Sequence, residues 1–246
     1  MSGIAMVTGA SRNIGRAIAM ALAADGYTVA CFGRDKNALQ ETAKLITDAW
    51  GTASVHVGDV GSDTALTDFV AAVKKQHGGI NIVVNNAGTM HEAPSNDVPP
   101  DIFRQILDVN LVACYTLARA AHAELRERKG VVVNIGSMFA SLGVANAASY
   151  CASKAGLEGL TRALAAEWAR DGVRVVTVAP GYVLSDISRD ILEDPEMRKR
   201  VVSRIPMHRY AQPSEIGDVV AFLVSPKASF MTGETVVVDG GQRMAV

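Results

Sequence analysis

The chain has 246 residues, with 24 basic against 25 acidic side chains and a formal net charge of −1, so nothing in its charge draws it to nucleic acid or to an anionic membrane. Hydrophobic residues make up 49% and aromatics only 5%, and no apolar run approaches the roughly 20 residues that span a bilayer. Three scattered cysteines, Cys31, Cys114 and Cys151, form no CxxC pair, which argues against a zinc site and for free thiols in a reducing compartment, Cys151 as a small filler residue or a reactive thiol. No basic, apolar leader precedes the first strand, so a cytoplasmic location is the expectation.

In chain order, short apolar runs alternate with amphipathic stretches. The pattern predicts strand Ile4–Val7 and helix Ile14–Ala24, strand Thr28–Phe32 and helix Asn37–Ala49, then strand Ser54–Val57 and helix Asp63–Gln76. Strand Ile82–Val84 leads to one long helix over Ile102–Arg128, strand Val131–Ile135 to helix Ser149–Arg170, and strand Arg174–Val178 to helix Pro213–Val224 and a last strand, Thr235–Val238. Such alternation reads as α/β: a Rossmann-like, doubly wound parallel sheet of about seven strands with helices on both faces. With no repeat and no linker, residues 1–246 read as one domain. Residues 184–210 break the rhythm with mixed charge and no strand pattern, as a substrate lid would, or a solvated pair of surface helices.

The first strand runs into Thr8-Gly9-Ala10-Ser11-Arg12-Asn13-Ile14-Gly15 and then a helix. Glycines there let backbone approach a pyrophosphate, and the helix N-terminus offers free N–H groups. The second strand ends at Phe32-Gly33-Arg34, near where an NAD site carries a carboxylate for the ribose 2′-OH. Gly33 has no carboxylate, and Arg34, with Arg12 as a second cation, suits the 2′-phosphate of NADP(H). The bland alternative is two solvated arginines, with Asp35 neutralising Arg34.

Ser137 follows the buried strand VVVNIG, and Tyr150 and Lys154, four residues apart, share one helix face. A free phenol has a pKa of about 10. An ammonium and an oxidised nicotinamide nearby are expected to bring Tyr150 down toward neutrality, so that it works as acid and base while Ser137 donates a hydrogen bond to the substrate oxygen.

Together these residues resemble the short-chain dehydrogenase/reductase family, with its TGxxxGxG turn and Ser–Tyr–Lys site. Asn13 stands where the family has its middle glycine, and asparagine is among the few residues that tolerate a left-handed backbone. Further landmarks follow in order: Asp59-Val60, where the family touches adenine; Asn85-Asn86-Ala87-Gly88, like its NNAG; and Asn110 in DVNL. Pro180-Gly181, with Val183 and Ser185, is similar to its PGxVxT, with Ser for Thr. The resemblance implies that Asn110 holds a water in a proton relay through Lys154. It implies that the glycine loop, Arg34, Asp59, Val60, Asn86, Ala87, Gly88, Tyr150, Lys154 and the residues from Pro180 to Ser185 meet the cofactor. It also implies a homotetramer built on the long helices and the C-terminal strand, with the tail Met244-Ala245-Val246 either buried there or frayed. The C-terminal half resembles the 3-oxoacyl-thioester reductases, so the substrate is a small carbonyl or alcohol, with a thioester-linked one foremost. Sugar, polyol and small-ketone reductases share the pattern. A non-catalytic NADP(H)-binding regulator and a lyase or epimerase are the rival classes. His208 reads either as a pocket residue or as a turn histidine.

Overall fold

The computed structural model describes residues 3–186 and 188–244. Seven strands form one parallel sheet: β1 (Ile4–Thr8), β2 (Thr28–Gly33), β3 (Thr52–Val57), β4 (Ile82–Asn85), β5 (Val131–Ile135), β6 (Arg174–Pro180) and β7 (Thr235–Val238), in the order β3-β2-β1-β4-β5-β6-β7. The order reverses between β1 and β4, where the chain turns from one half of the sheet to the other. In such sheets the crevice at this reversal, outside the carboxyl ends of the strands, takes the ligand.

Strand side chains alternate between two buried layers. Ala5, Val7, Val29, Cys31, Val131 and Val133 face α1 (Asn13–Ala24), α2 (Lys36–Asp48) and α9 (Pro213–Val224), meeting Ile18, Leu22, Leu39, Ile216 and Val220. Met6, Ala30, Phe32, Val83 and Val132 face α3 (Asp63–His77), α5 (Ala113–Arg128) and α6 (Ala148–Trp168), meeting Leu66, Phe69, Leu117, Leu125 and Trp168. Burying each Leu or Ile contributes about 1.5–3 kcal/mol, and the two layers clamp the sheet so that its carboxyl edge is a rigid platform. Among the described residues no helix is long and apolar enough to cross a membrane.

The structure corrects one sequence expectation. The long helix expected over Ile102–Arg128 is α4 (Pro100–Leu107) and α5, joined through a π turn at Asp108–Val112. The extra residue in that turn carries Asn110, fully buried and bonded sideways, and such insertions usually mark a functional position. The stretch 184–210 carries two short helices, α7 (Arg189–Glu193) and α8 (Pro195–Val202). Both its ends are pinned where Val183 pairs with Ala211: Leu184 N–H donates to Ala211 O at 3.1 Å and Ala211 N–H to Tyr182 O at 2.9 Å. Of the apolar tail, Met244 is exposed, and Ala245 and Val246 lie outside the described residues.

Candidate active site

A cleft of about 690 Å³ opens along the carboxyl ends of the strands and is bordered by every candidate catalytic and cofactor-binding residue except Asn110. Its size falls in the range of small-molecule sites. At one end is the turn after β1. Gly9 is left-handed, with φ 64°, and Asn13 takes φ 49°, the conformation expected of it. At Gly15 a Cβ would lie 2.0 Å from Gly9 O and 2.5 Å from Asn86 Nδ2, so only glycine lets the helix start so close to the strand. Arg12 precedes α1 in extended backbone and provides no side-chain cap. The N–H groups of the first turn are therefore left for something in the cleft, which fits a pyrophosphate.

The turn is stapled from below. Thr8 Oγ1 accepts from the N–H groups of Asn86 and Ala87, each at 3.0 Å, and Asn86 Nδ2 donates to Thr8 O at 2.9 Å and Gly9 O at 3.2 Å. Asn86 thus shapes the cradle, and Thr8 is a positioning residue the sequence reading missed. Gly88 faces the cleft floor, where a Cβ would come 3.3 Å from Asn110 Oδ1 and 3.5 Å from Lys154 Nζ.

Both arginines border the cleft, each facing a carboxylate. Arg12 Nε lies 2.6 Å from Asp186, in the 184–210 segment, which also pairs with Arg189. Arg34 Nη1 lies 3.8 Å from Asp59 and is 81% exposed, a loose pair that a phosphate could replace. Asp35, considered as a neutraliser of Arg34, instead caps α2, its side chain accepting from Ala38 N–H. Asp59 closes its own turn by accepting from Gly61 N–H at 2.9 Å, and keeps its other oxygen toward Arg34. Val60 packs beside the second core layer. Ser185 hydrogen-bonds Ser188 at 3.2 Å, beside the buried Val183.

At the other end stand Ser137, Tyr150 and Lys154, all buried. Ser137 directly follows β5, and its Oγ accepts from Phe139 N–H at 3.2 Å. Lys154, one helical turn beyond Tyr150 on α6, donates to Ile135 O at 2.8 Å, and its ammonium is 5.7 Å from the centre of the Tyr150 ring. In the protein alone the phenol shifts upward. Burial raises its pKa above the ordinary 10.0, more than the hydrogen bond from Ser137 lowers it. Burial likewise lowers the Lys154 pKa, so the ammonium is itself destabilised. A dry site without a second cation favours the protonated phenol; lowering it needs a positive charge from the ligand.

Asn110 is tied to its neighbours through its side-chain amide. Its Nδ2 donates to Thr89 O at 2.8 Å and Ser153 Oγ at 3.0 Å, while Oδ1 accepts from Thr89 N–H at 2.8 Å. Both amide protons are spent on protein. The side chain therefore positions the 88–89 turn against α6. His208 falls outside the cleft, in a turn with φ 51° whose N–H bonds Ile205 O. The sequence reading missed the wall opposite the cradle, where Phe139 stands edge-on to Tyr150 (6.1 Å) and Tyr182 (6.3 Å), and where burial and then the Glu92 carboxylate push the Tyr182 phenol up. Only adjacency to Ser137 and to Pro180-Gly181 could have pointed to Phe139 and Tyr182.

A family model described as enoyl-(acyl carrier protein) reductase matches residues 9–243. The chain is 38% identical over 245 residues to an acetoacetyl-CoA reductase of Shinella zoogloeoides, covering 98% of this chain and 99% of that one. It is 35% identical over 249 residues to a 3-oxoacyl-(acyl-carrier-protein) reductase of Staphylococcus aureus, covering 99% of each. Among solved structures, a gluconate 5-dehydrogenase of Burkholderia cenocepacia in complex with NADP and tartrate superposes with a TM-score of 0.94 at 30% identity, covering 99% of this chain and 96% of that one.

Proposed function

The chain belongs to the short-chain dehydrogenase/reductase family, oxidoreductases that use a nicotinamide cofactor to act on CH–OH groups, and from that premise we propose that it reduces the carbonyl of a 3-oxoacyl thioester with NADPH. The observation that carries the chemistry is the buried Ser137–Tyr150–Lys154 group at the open end of β5 and α6, in the same cleft as the uncapped start of α1. When bound, the nicotinamide supplies the hydride and, once oxidised, a positive charge. Ser137 donates to the substrate oxygen as it gains charge. Tyr150, held protonated by its dry surroundings, gives that oxygen its proton. Lys154 would hold the nicotinamide ribose and stabilise the tyrosinate that Tyr150 becomes, and a water relay through Lys154 and Asn110 returns the proton from solvent, while Asn110 also fixes the 88–89 turn.

The glycine loop Gly9–Gly15 with Ser11 and Ile14, the 86–88 turn, Asp59-Val60, and Pro180, Gly181, Val183 and Ser185 form the cofactor's bed. Arg12 and Arg34 read the 2′-phosphate, supported by the missing carboxylate at Gly33 and by the NADP in the Burkholderia structure. Residues 1–246 act as one domain, with 184–210 as the lid over the substrate. A cytoplasmic homotetramer completes the reading; the exposed Val112, Tyr115 and Phe222 are apolar surface for such contacts.

A sugar or polyol substrate is the second reading, favoured by Glu92 and Tyr182, which offer acceptors to hydroxyl groups at the substrate end. With Tyr150 and Lys154 both present, a non-catalytic regulator has no support. The test is the initial rate of NADPH oxidation with acetoacetyl-CoA, run beside NADH. Turnover favouring NADPH supports the proposal. No turnover, in folded protein that oxidises a sugar acid or polyol, moves the substrate to the second reading.

A further inference from the structure

A second cavity, of about 640 Å³, lies outside the cleft within the 184–210 segment, between α7, α8 and the turn at 208–212. Helix α7 is the wall the two share: Ile191 borders the cleft, while Leu192 and Glu193 border the second cavity. The rest of its lining includes Arg198, Lys199, His208, Arg209 and Tyr210.

The charge along this segment is sorted. From 186 to 196 it is mostly acidic; from 198 to 209 the sequence RKRVVSRIPMHR has five Arg or Lys residues and no acid. The chain as a whole carries a net charge of −1, so this is a local cationic surface. Not all of it is available. Arg209 is held by Glu215, with both nitrogens 2.7 Å from its oxygens. Glu193, the one carboxylate lining the cavity, faces Arg189 at 3.8 Å. Arg198 and Lys199 face the cavity with no carboxylate within ion-pair distance among the described residues. The Arg198 guanidinium is instead seated 5.3 Å from the centre of the Tyr210 ring. That arrangement orients a guanidinium beside an aromatic face, with an ammonium one residue on. Guanidinium and ammonium groups recognise phosphate, and the aromatic face takes a planar ring.

We infer that this cavity binds the phosphorylated nucleotide end of a coenzyme A thioester, Arg198 and Lys199 taking the phosphates and Tyr210 the purine, while the acyl arm passes α7 into the cleft. The inference rests on the thioester reading given above. It chooses a nucleotide over an acidic carrier protein because the cations line a concavity beside an aromatic ring, whereas a protein surface needs a broad, flat cationic face. The lid then has two jobs, closing the cleft with α7 and anchoring the carrier with α8 and the 208–210 turn.

The experiment is calorimetric titration of the full-length protein, saturated with NADP+, with free coenzyme A and with adenosine 3′,5′-bisphosphate. Saturation keeps both probes out of the cofactor's own phosphate site. Both are expected to bind, with affinity falling as salt rises. The double substitution Arg198→Gln, Lys199→Gln should weaken coenzyme A by about tenfold or more. In steady-state assays its loss in kcat/KM should be at least about tenfold greater for acetoacetyl-CoA than for the acetoacetyl thioester of N-acetylcysteamine, which has no phosphate. Absence of coenzyme A binding, or equal binding by the double variant, overturns the inference. So does a loss confined to a carrier-protein thioester, which would make the surface a protein-docking site. If neither thioester is reduced, the substrate reading fails separately, and the titration alone still decides whether the cavity takes the nucleotide.

Discussion

Replacing Arg34 with Ala separates the two phosphates of the nicotinamide cofactors. Arg34 is 81% exposed and 3.8 Å from Asp59, and exposed pairs of this kind contribute ~0.2–1 kcal/mol, so the substitution should leave the thermal midpoint almost where it is. Binding is another matter. Hydrogen bonds from a charged group contribute ~1.5–3 kcal/mol, and each 1.4 kcal/mol is about tenfold, so the NADPH dissociation constant should rise by about 10- to 150-fold. The loss falls toward the upper end because Asp59 and Asp35 remain on that rim with no guanidinium between them and the 2′-phosphate. NADH lacks that phosphate, and its constant should move by about twofold at most. The assay is fluorescence titration of both reduced cofactors against wild type and variant. Equal losses for the two, or an unchanged NADPH constant, would refute the assignment of Arg34.

Gly33→Asp is the complementary change. Its nearest neighbour is a Leu39 methyl at 3.6 Å from an added Cβ, so the carboxylate fits at the strand tip. There it should repel the 2′-phosphate and accept from a ribose hydroxyl, and the NADPH-to-NADH ratio of kcat/KM should fall by about tenfold or more. Gly15→Ala drives a Cβ to 2.0 Å from Gly9 O; overpacking of that kind costs about 1–3 kcal/mol or more. The thermal midpoint should fall by several degrees and NADPH binding should be lost, whereas a midpoint like that of wild type would mean that the turn relaxes freely. The Tyr150 phenol, with its pKa raised by burial, favours the folded state while protonated; that contribution is present below pH 10 and lost as pH rises through the folded value. Difference absorbance between wild type and Tyr150→Phe should therefore place its ionisation above 10 without cofactor and lower when NADP+ is bound, and no shift with NADP+ would remove the nicotinamide charge from the account.

The sheet was legible because its central strands are buried on both faces and bounded by turn residues, so apolar runs such as Val131–Ile135 coincide with the observed elements. The cradle was legible for a similar reason: Gly15 and Asn13 have side chains dictated by local backbone, at φ 49° for Asn13. Periodicity could not show the π turn at Asp108–Val112, since one inserted residue barely disturbs an apolar stripe, and its cause is tertiary, the bonds from Asn110 to Thr89 and Ser153. Nor could spacing give the direction of the Tyr150 shift. That depends on how dry the site is and on Lys154 turning its proton to Ile135 O, both properties of the packed structure. The substrate wall was hidden because Phe139, Tyr182 and Glu92 come from three separate loops with no motif in common.

The most direct test of the central claim, that Tyr150 is the proton donor in hydride transfer at this cleft, is Tyr150→Phe measured twice: turnover of the thioester with NADPH, and NADPH binding by fluorescence. Proton transfer by a positioned side chain contributes about 10²–10⁴-fold. The account predicts a loss of turnover of that size with an NADPH dissociation constant within about twofold of wild type. Retained turnover, or a parallel loss of turnover and cofactor binding, would contradict it.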